Sequence, residues 1–215
     1  MKYYVRTTGE RKLGDSYSQI EYELLIDKDH KPVDSFIKQL ELISNEDSVL
    51  LEDDLELCKN FKEEIEKIIS EHPNDIINFY TVPNKYFKSE YSNVFVYNQC
   101  TYYPKGIGKI VANEMTNVRQ KYKESAYDTL ENKALRNLNI LVYNYRPCLV
   151  QHLDQFSLIT RSRVLINSRI TPYYKDYLDK LNIDYNDENL VSIYLNALNI
   201  ERNKTINKMK GIKEL

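Results

Sequence analysis

The chain has 215 residues, 42% of them hydrophobic and 29% charged, with a formal net charge of −2. That suffices for one packed core with an appendage, while the absence of any apolar run near the roughly 20 residues of a bilayer span excludes a helical membrane segment. The small net charge hides a split: residues 1–100 hold 12 Lys+Arg against 20 Asp+Glu, a net of −8, and residues 101–215 hold 18 against 12, a net of +6. A polyanionic or membrane-surface partner for the basic half accounts for this, and so does a solvated helical tail.

The chain enters a strand at once, through Tyr3 to Thr8, and Gly9 ends it. A second strand is expected over residues 21–27, with a turn through Asp27 to Pro32. From Pro32 to Ile43, Val33, Phe36, Ile37, Leu40 and Ile43 recur at helical spacing, and Pro32 suits the helix start. Val49, Leu50 and Leu51 form a short apolar run, as a strand covered on both faces requires. A second amphipathic helix follows from about Cys58 to Ser70, closed by His72-Pro73, and Asp75 to Val82 reads as a further strand.

One or two strands are expected between Val94 and Tyr103, then helices over residues 105–122 and 126–137. Ile140 to Val150 is strand-like, with a break at Pro147. From Thr171 the pattern is helical, with a longer amphipathic run from Asp187 to Met209. Strands alternating with helices over the first 80 residues indicate an α/β sheet. Cys58, Cys100 and Cys148 form no C-x-x-C pair. Their odd number, and the absence of a secretory leader ahead of the first strand, lead to the expectation of a reducing, cytoplasmic location.

Four segments and Asp128 carry candidate chemistry. The apolar run at Val49 passes straight into Glu52-Asp53-Asp54. Three carboxylates at a strand end repel one another unless a cation sits among them, and a hard divalent ion with oxygen ligands meets that need. A solvated acidic turn is the plainer alternative. The loop Arg6-Thr7-Thr8-Gly9-Glu10-Arg11 offers bidentate guanidinium donors, hydroxyls and one glycine, which suits a diphosphate, although it also suits a surface turn. It has neither the Walker nor the dinucleotide glycine spacing.

The third segment, Pro147 to Asp154, delivers His152 at the end of an apolar strand, either as a metal ligand or as a structural histidine. Asn98 to Gly106 sets amides and aromatics beside a Pro/Gly turn, as a wall of a sugar pocket or as plain packing. Asp128, near a helix start, is either a cap or a general base. His30 and His72, both in turns, are expected to be structural.

Taken in order, these segments resemble the GT-A class of nucleotide-sugar glycosyltransferases, particularly its small bacterial and phage-type members. Residues 5–11 look like the opening nucleotide loop, 49–54 like the acidic DXD-type motif, 98–104 like the donor/acceptor wall, and Pro147 to His152 like the late segment whose histidine closes the metal site. The resemblance implies an α/β, GT-A-like (Rossmann-like) mixed central sheet flanked by helices over residues 1–165, with a C-terminal helical extension over 166–215 packed on the same domain.

It further implies Mn²⁺ or Mg²⁺ held by Glu52, Asp54 and His152. The nucleotide-sugar donor, a UDP-sugar first among them, falls to Arg6, Thr7, Thr8, Arg11, Asp53 and Gln99, with Asp53 turned to the ribose or bracing the loop. An inverting enzyme needs a carboxylate base for the acceptor hydroxyl, for which Asp128 is the candidate, and the sequence does not distinguish inversion from retention. The expected acceptor is a hydroxyl on a cell-surface glycan precursor, on a protein or on a hydroxymethylated DNA base. The acidic motif arrives by residue 54, earlier than in many members, so the nucleotide half is trimmed. Two other readings use the same residues differently: a metal-dependent nucleotidyltransferase or nuclease, and a non-catalytic α/β module that binds nucleic acid through its basic half.

Overall fold

The computed structural model describes residues 1–81, 90–93, 98–122, 126–153, 171, 173–187 and 189. Its strands are β1 (Lys2–Thr7), β2 (Tyr22–Ile26), β3 (Ser48–Glu52), β4 (Leu55–Leu57), β5 (Ile76–Asn78), β6 (Glu90–Ser92), β7 (Cys100–Tyr103), β8 (Val142–Asn144) and β9 (Val150–His152). The helices are α1 (Pro32–Ile43), α2 (Phe61–Glu71), α3 (Ile107–Lys121), α4 (Tyr127–Asn137) and α5 (Lys175–Lys180), with a 3-10 turn over Asp15–Gln19.

Seven strands form one mixed sheet in the order β2-β1-β3-β7-β5-β8-β6. β2, β1, β3, β5 and β8 run one way, and β7 and β6 run against them. Both faces are covered, because the pleat sends alternate residues of the central strands to opposite sides. Val49 and Leu51 join Tyr3, Val5 and Ile77 in a cluster closed by Phe61, Ile65 and Ile68 of α2. Leu50 joins Tyr4, Ile76 and Val142 under Phe36 and Leu40 of α1, Val111 and Met115 of α3, and Leu130 of α4. The apolar run of β3 is thus buried on both sides, as its sequence requires.

The expected helix from Pro32 to Ile43 forms over those residues. The strand-like stretch from Ile140 to Val150 breaks around Pro147 as expected, and its two parts, β8 and β9, lie in different sheets, β9 pairing with β4. The helix expected from Cys58 starts at Phe61, since Leu55–Leu57 is drawn into a strand first. Residues 82–89, 94–97, 123–125, 154–170, 172 and 188, and the tail beyond residue 189, lie outside the described residues, and with them most of the expected amphipathic run from Asp187 to Met209. Before that tail, Tyr174 bridges to Cys148 and is buried in the same cluster as Phe61 and Leu149. Both carboxylate oxygens of Asp176 accept the backbone N–H of Lys59. No helix among the described residues is long and apolar enough to cross a membrane.

Candidate metal centre

Parallel pairing of β1 with β3 sets Arg6 beside Glu52 at the carboxyl ends of both strands. This is the edge of an α/β sheet at which ligands bind. After Glu52 the chain turns through Asp53 and Asp54 into β4, whose Leu55 is the register partner of His152 on β9. The Leu153 N–H donates to the carbonyl of Asp54 at 2.7 Å and locks that register at its end. One ligand atom from each of Glu52, Asp54 and His152 consequently falls within 4.8 Å of the others. His152 Nε2 lies 3.4 Å from Asp54 Oδ2.

The backbone of Glu52 is fixed by its N–H donating to the Gln99 carbonyl at 2.9 Å and by the Tyr17 hydroxyl donating to its own carbonyl. Its side-chain Oε1 accepts from Arg6 Nη2 and from the Tyr127 hydroxyl, each at 2.7 Å. Arg6 also donates to the Asn98 carbonyl at 3.2 Å, and its guanidinium lies against the rings of Phe36 and Tyr127. Arg6, expected at the diphosphate, is therefore bound to a carboxylate of the acidic motif.

Thr7 donates its hydroxyl to Asp53 Oδ2 at 2.6 Å and accepts the Gly9 N–H at 2.9 Å. Gly9 takes a positive φ of 82°, so the chain reverses there at little steric cost. The reversal brings Arg11 Nη1 to 2.9 Å from Asp53 Oδ1 and 2.6 Å from Asp54 Oδ2. Asp53 therefore braces the loop over residues 7–11.

Burial pushes the Asp54 carboxyl up to about 7, with the neighbouring Glu52 adding to the rise and Arg11 opposing it. Asp54 Oδ1 is buried with no hydrogen-bond partner among the described residues, and so are Thr8 Oγ1 and Gln99 Oε1. Buried polar atoms left unpaired are costly, and three of them at one edge of the sheet, after β1, after β3 and before β7, fit a site completed by a ligand. Two carboxylates and an imidazole suit Mn²⁺, and Mg²⁺ with more bound water. The donor set fits the ion.

The structure does not join Asp128 to this cluster. It is half-buried in the first turn of α4, and its Oδ1 accepts the Thr129 N–H at 2.7 Å. Its neighbour Tyr127 is the residue that reaches Glu52. Sequence reasoning also missed Glu131, which is fully buried and accepts from the Tyr103 hydroxyl at 2.6 Å and from Asn98 Nδ2 at 2.5 Å. The available signal was spacing: Tyr127, Glu131 and Leu135 follow one another at four-residue intervals, and Leu135 is core. His72 stacks on Tyr143 and contacts Asp75 and Tyr91, and His30 faces Glu10.

No protein-family model matches the chain, and no curated protein matches it. Among solved structures, the chain is similar to the crystal structure of A197 from STIV, at 12% identity and a TM-score of 0.42, over 80% of this chain and 97% of that one. A likeness of that size carries no argument about function.

Proposed function

We propose that this chain is a metal-dependent glycosyltransferase that moves a sugar from a nucleotide-diphosphate donor to a hydroxyl acceptor. The observation that carries the proposal is the convergence of Glu52, Asp54 and His152, delivered by two distant segments paired through β4 and β9. In this reading the three side chains hold Mn²⁺ or Mg²⁺. The ion would supply Lewis acidity toward the leaving diphosphate.

The remaining roles belong to the chain. Arg6 and Tyr127 hold Glu52 in one orientation, and Thr7 holds Asp53. Arg11 is the guanidinium at the acidic turn that can serve an anionic donor. Thr8 Oγ1 and Gln99 Oε1 are polar atoms through which the nucleotide-sugar can be bound. Asp128 remains the candidate base for the acceptor hydroxyl although it is not joined to the cluster: it adjoins Tyr127, whose hydroxyl reaches Glu52. The GT-A-like catalytic unit is assigned to residues 1–165 and the helical extension to the remainder.

A two-metal nuclease or nucleotidyltransferase is less well supported. Asp53, the third acid of the motif, is tied to Thr7 and Arg11, and no second three-ligand cluster occurs among the described residues. The test is a screen of UDP-, GDP- and TDP-sugars for nucleotide release, with Mn²⁺ and then with EDTA. Release that EDTA stops is expected. No release from any of the sugar nucleotides with Mn²⁺ present overturns the proposal.

A further inference from the structure

Arg11 and a divalent ion would compete for the same carboxylate. Arg11 Nη1 lies 2.6 Å from Asp54 Oδ2, the atom that His152 Nε2 faces at 3.4 Å, and the Arg11 side chain is only 14% exposed. An ion held by Asp54 and His152 therefore meets a guanidinium on one of its own ligands. In a site screened like a protein surface, with an effective dielectric near 20, repulsion between such charges about 5 Å apart changes affinity by more than tenfold.

Charge counting runs the same way. With Asp54 ionised, as its pairing with a guanidinium or an ion requires, Glu52, Asp53 and Asp54 face Arg6 and Arg11, and these five side chains carry one excess negative charge. A divalent ion reverses that sign, and a diphosphate ester carrying two negative charges restores it. The diphosphate is also a bidentate partner of the kind that guanidinium favours.

We propose that Arg11 is an internal counter-cation that must leave Asp54 before a divalent ion is held tightly, and that a donor diphosphate draws it away, so that ion and diphosphate bind as a cooperative pair. This rests on the metal site proposed above. Coupling of this kind is reciprocal: the ion strengthens diphosphate binding by the factor by which the diphosphate strengthens ion binding. Part of it comes from direct contact between ion and phosphate, and part from the transfer of Arg11. Only the second part depends on the guanidinium charge.

The experiment is Mn²⁺ binding, read by the loss of the free-ion electron paramagnetic resonance signal, with and without UDP. It uses the wild type, Arg11→Gln and Arg11→Lys, each checked for native far-ultraviolet circular dichroism. The neutral Arg11→Gln should bind Mn²⁺ alone about tenfold or more tighter than the wild type. Its further tightening by UDP should be smaller than the wild type's. Arg11→Lys keeps the charge and should bind Mn²⁺ alone as the wild type does. Equal Mn²⁺ affinity in the wild type and Arg11→Gln overturns the counter-cation role while leaving the metal site standing. Equal tightening in both variants overturns it as well, because the charge would then not be the cause. If Mn²⁺ binds neither wild type nor variants, with or without UDP, the metal site itself is refuted.

Discussion

His152 reaches Asp54 because its strand partner is Leu55. Antiparallel pairing of β9 with β4 puts Nε2 of the histidine 3.4 Å from Oδ2 of the aspartate, with both side chains buried. A one-residue slip in that ladder would turn the imidazole to the other face. The geometry of the candidate centre is therefore a property of strand register, and the Leu153 N–H bond to the Asp54 carbonyl guards it.

Asp54→Asn should abolish metal-dependent transfer, lowering it by about a hundredfold or more, because it removes an anionic ligand while keeping size and shape. The fold should persist, since the substitution leaves the β4–β9 ladder untouched. Nucleotide release in Mn²⁺ and far-ultraviolet circular dichroism check both halves. Wild-type activity in a correctly folded variant would remove Asp54 from the site.

His152→Ala should weaken Mn²⁺ binding by about tenfold or more. It should also cost about 1–2 kcal/mol of stability through the cavity left by a buried side chain. Titration calorimetry with Mn²⁺ and urea denaturation separate the two effects. Unchanged Mn²⁺ affinity would mean that the imidazole is structural.

Much of this centre was legible from local pattern. The acids at the end of β3 stand out because an apolar strand delivers them, and His152 stands out for the same reason on β9. What the pattern could not supply was β4: Leu55–Leu57 is three residues long, too short for alternation to register. Without that strand, the pairing that joins the two segments stays hidden. Glu131 was missed because a charged residue in a helix is ordinarily assigned to the solvent face, and only packing of α4 over Tyr103 and Asn98 makes it interior. The sequence suggests a diphosphate partner for Arg6 because its actual partners, Glu52, Tyr127 and Asn98, are far away in sequence.

Glu131 should leave a signature in stability. Burial is the main cause that raises its carboxyl, to about 7, with Asp128 adding to the rise and Tyr103, Asn98 and Arg6 opposing it. The unfolded chain ionises near the usual glutamate value of about 4.3. Between these values the folded state holds a proton that the unfolded state has released, so stability falls as pH rises through that window. The urea midpoint of the wild type should therefore decline from about pH 5 to pH 8, and the decline should be smaller in Glu131→Gln. Identical pH slopes would show that the buried carboxyl is compensated at every pH.

Gly108 tests how tightly α3 lies on α1. A Cβ built there would come within 2.4 Å of the Leu40 carbonyl oxygen, a backbone atom that cannot rotate away. The same contact region is pinned by Gly106 N–H donating to the Ser44 carbonyl and Lys109 N–H donating to Ser44 Oγ. Gly108→Ala should force the helices apart at a cost of about 1–3 kcal/mol. A urea midpoint equal to the wild type's would show that the helices separate freely.

The basic half of the chain makes a prediction about the acceptor. Among the cations of that half, Lys105, Lys109 and Lys121 are exposed along α3 and the turn before it, while Arg119 is paired with Asp34. Lys123, Arg161, Arg163 and Arg169 lie outside the described residues. If the acceptor is duplex DNA, these lysines meet phosphates, and each contact contributes about 0.9 to the slope of log affinity against log salt. Binding measured between low and physiological salt should then fall with a slope of about 2–3 or more. The triple variant Lys105→Gln, Lys109→Gln, Lys121→Gln should flatten that slope by about the same amount. Transfer to hydroxymethylated DNA should weaken in parallel. If the protein binds no duplex at low salt and transfers nothing to hydroxymethylated DNA, the proposed acceptor moves to a glycan or a protein, and the charge split belongs to solvated helical surface.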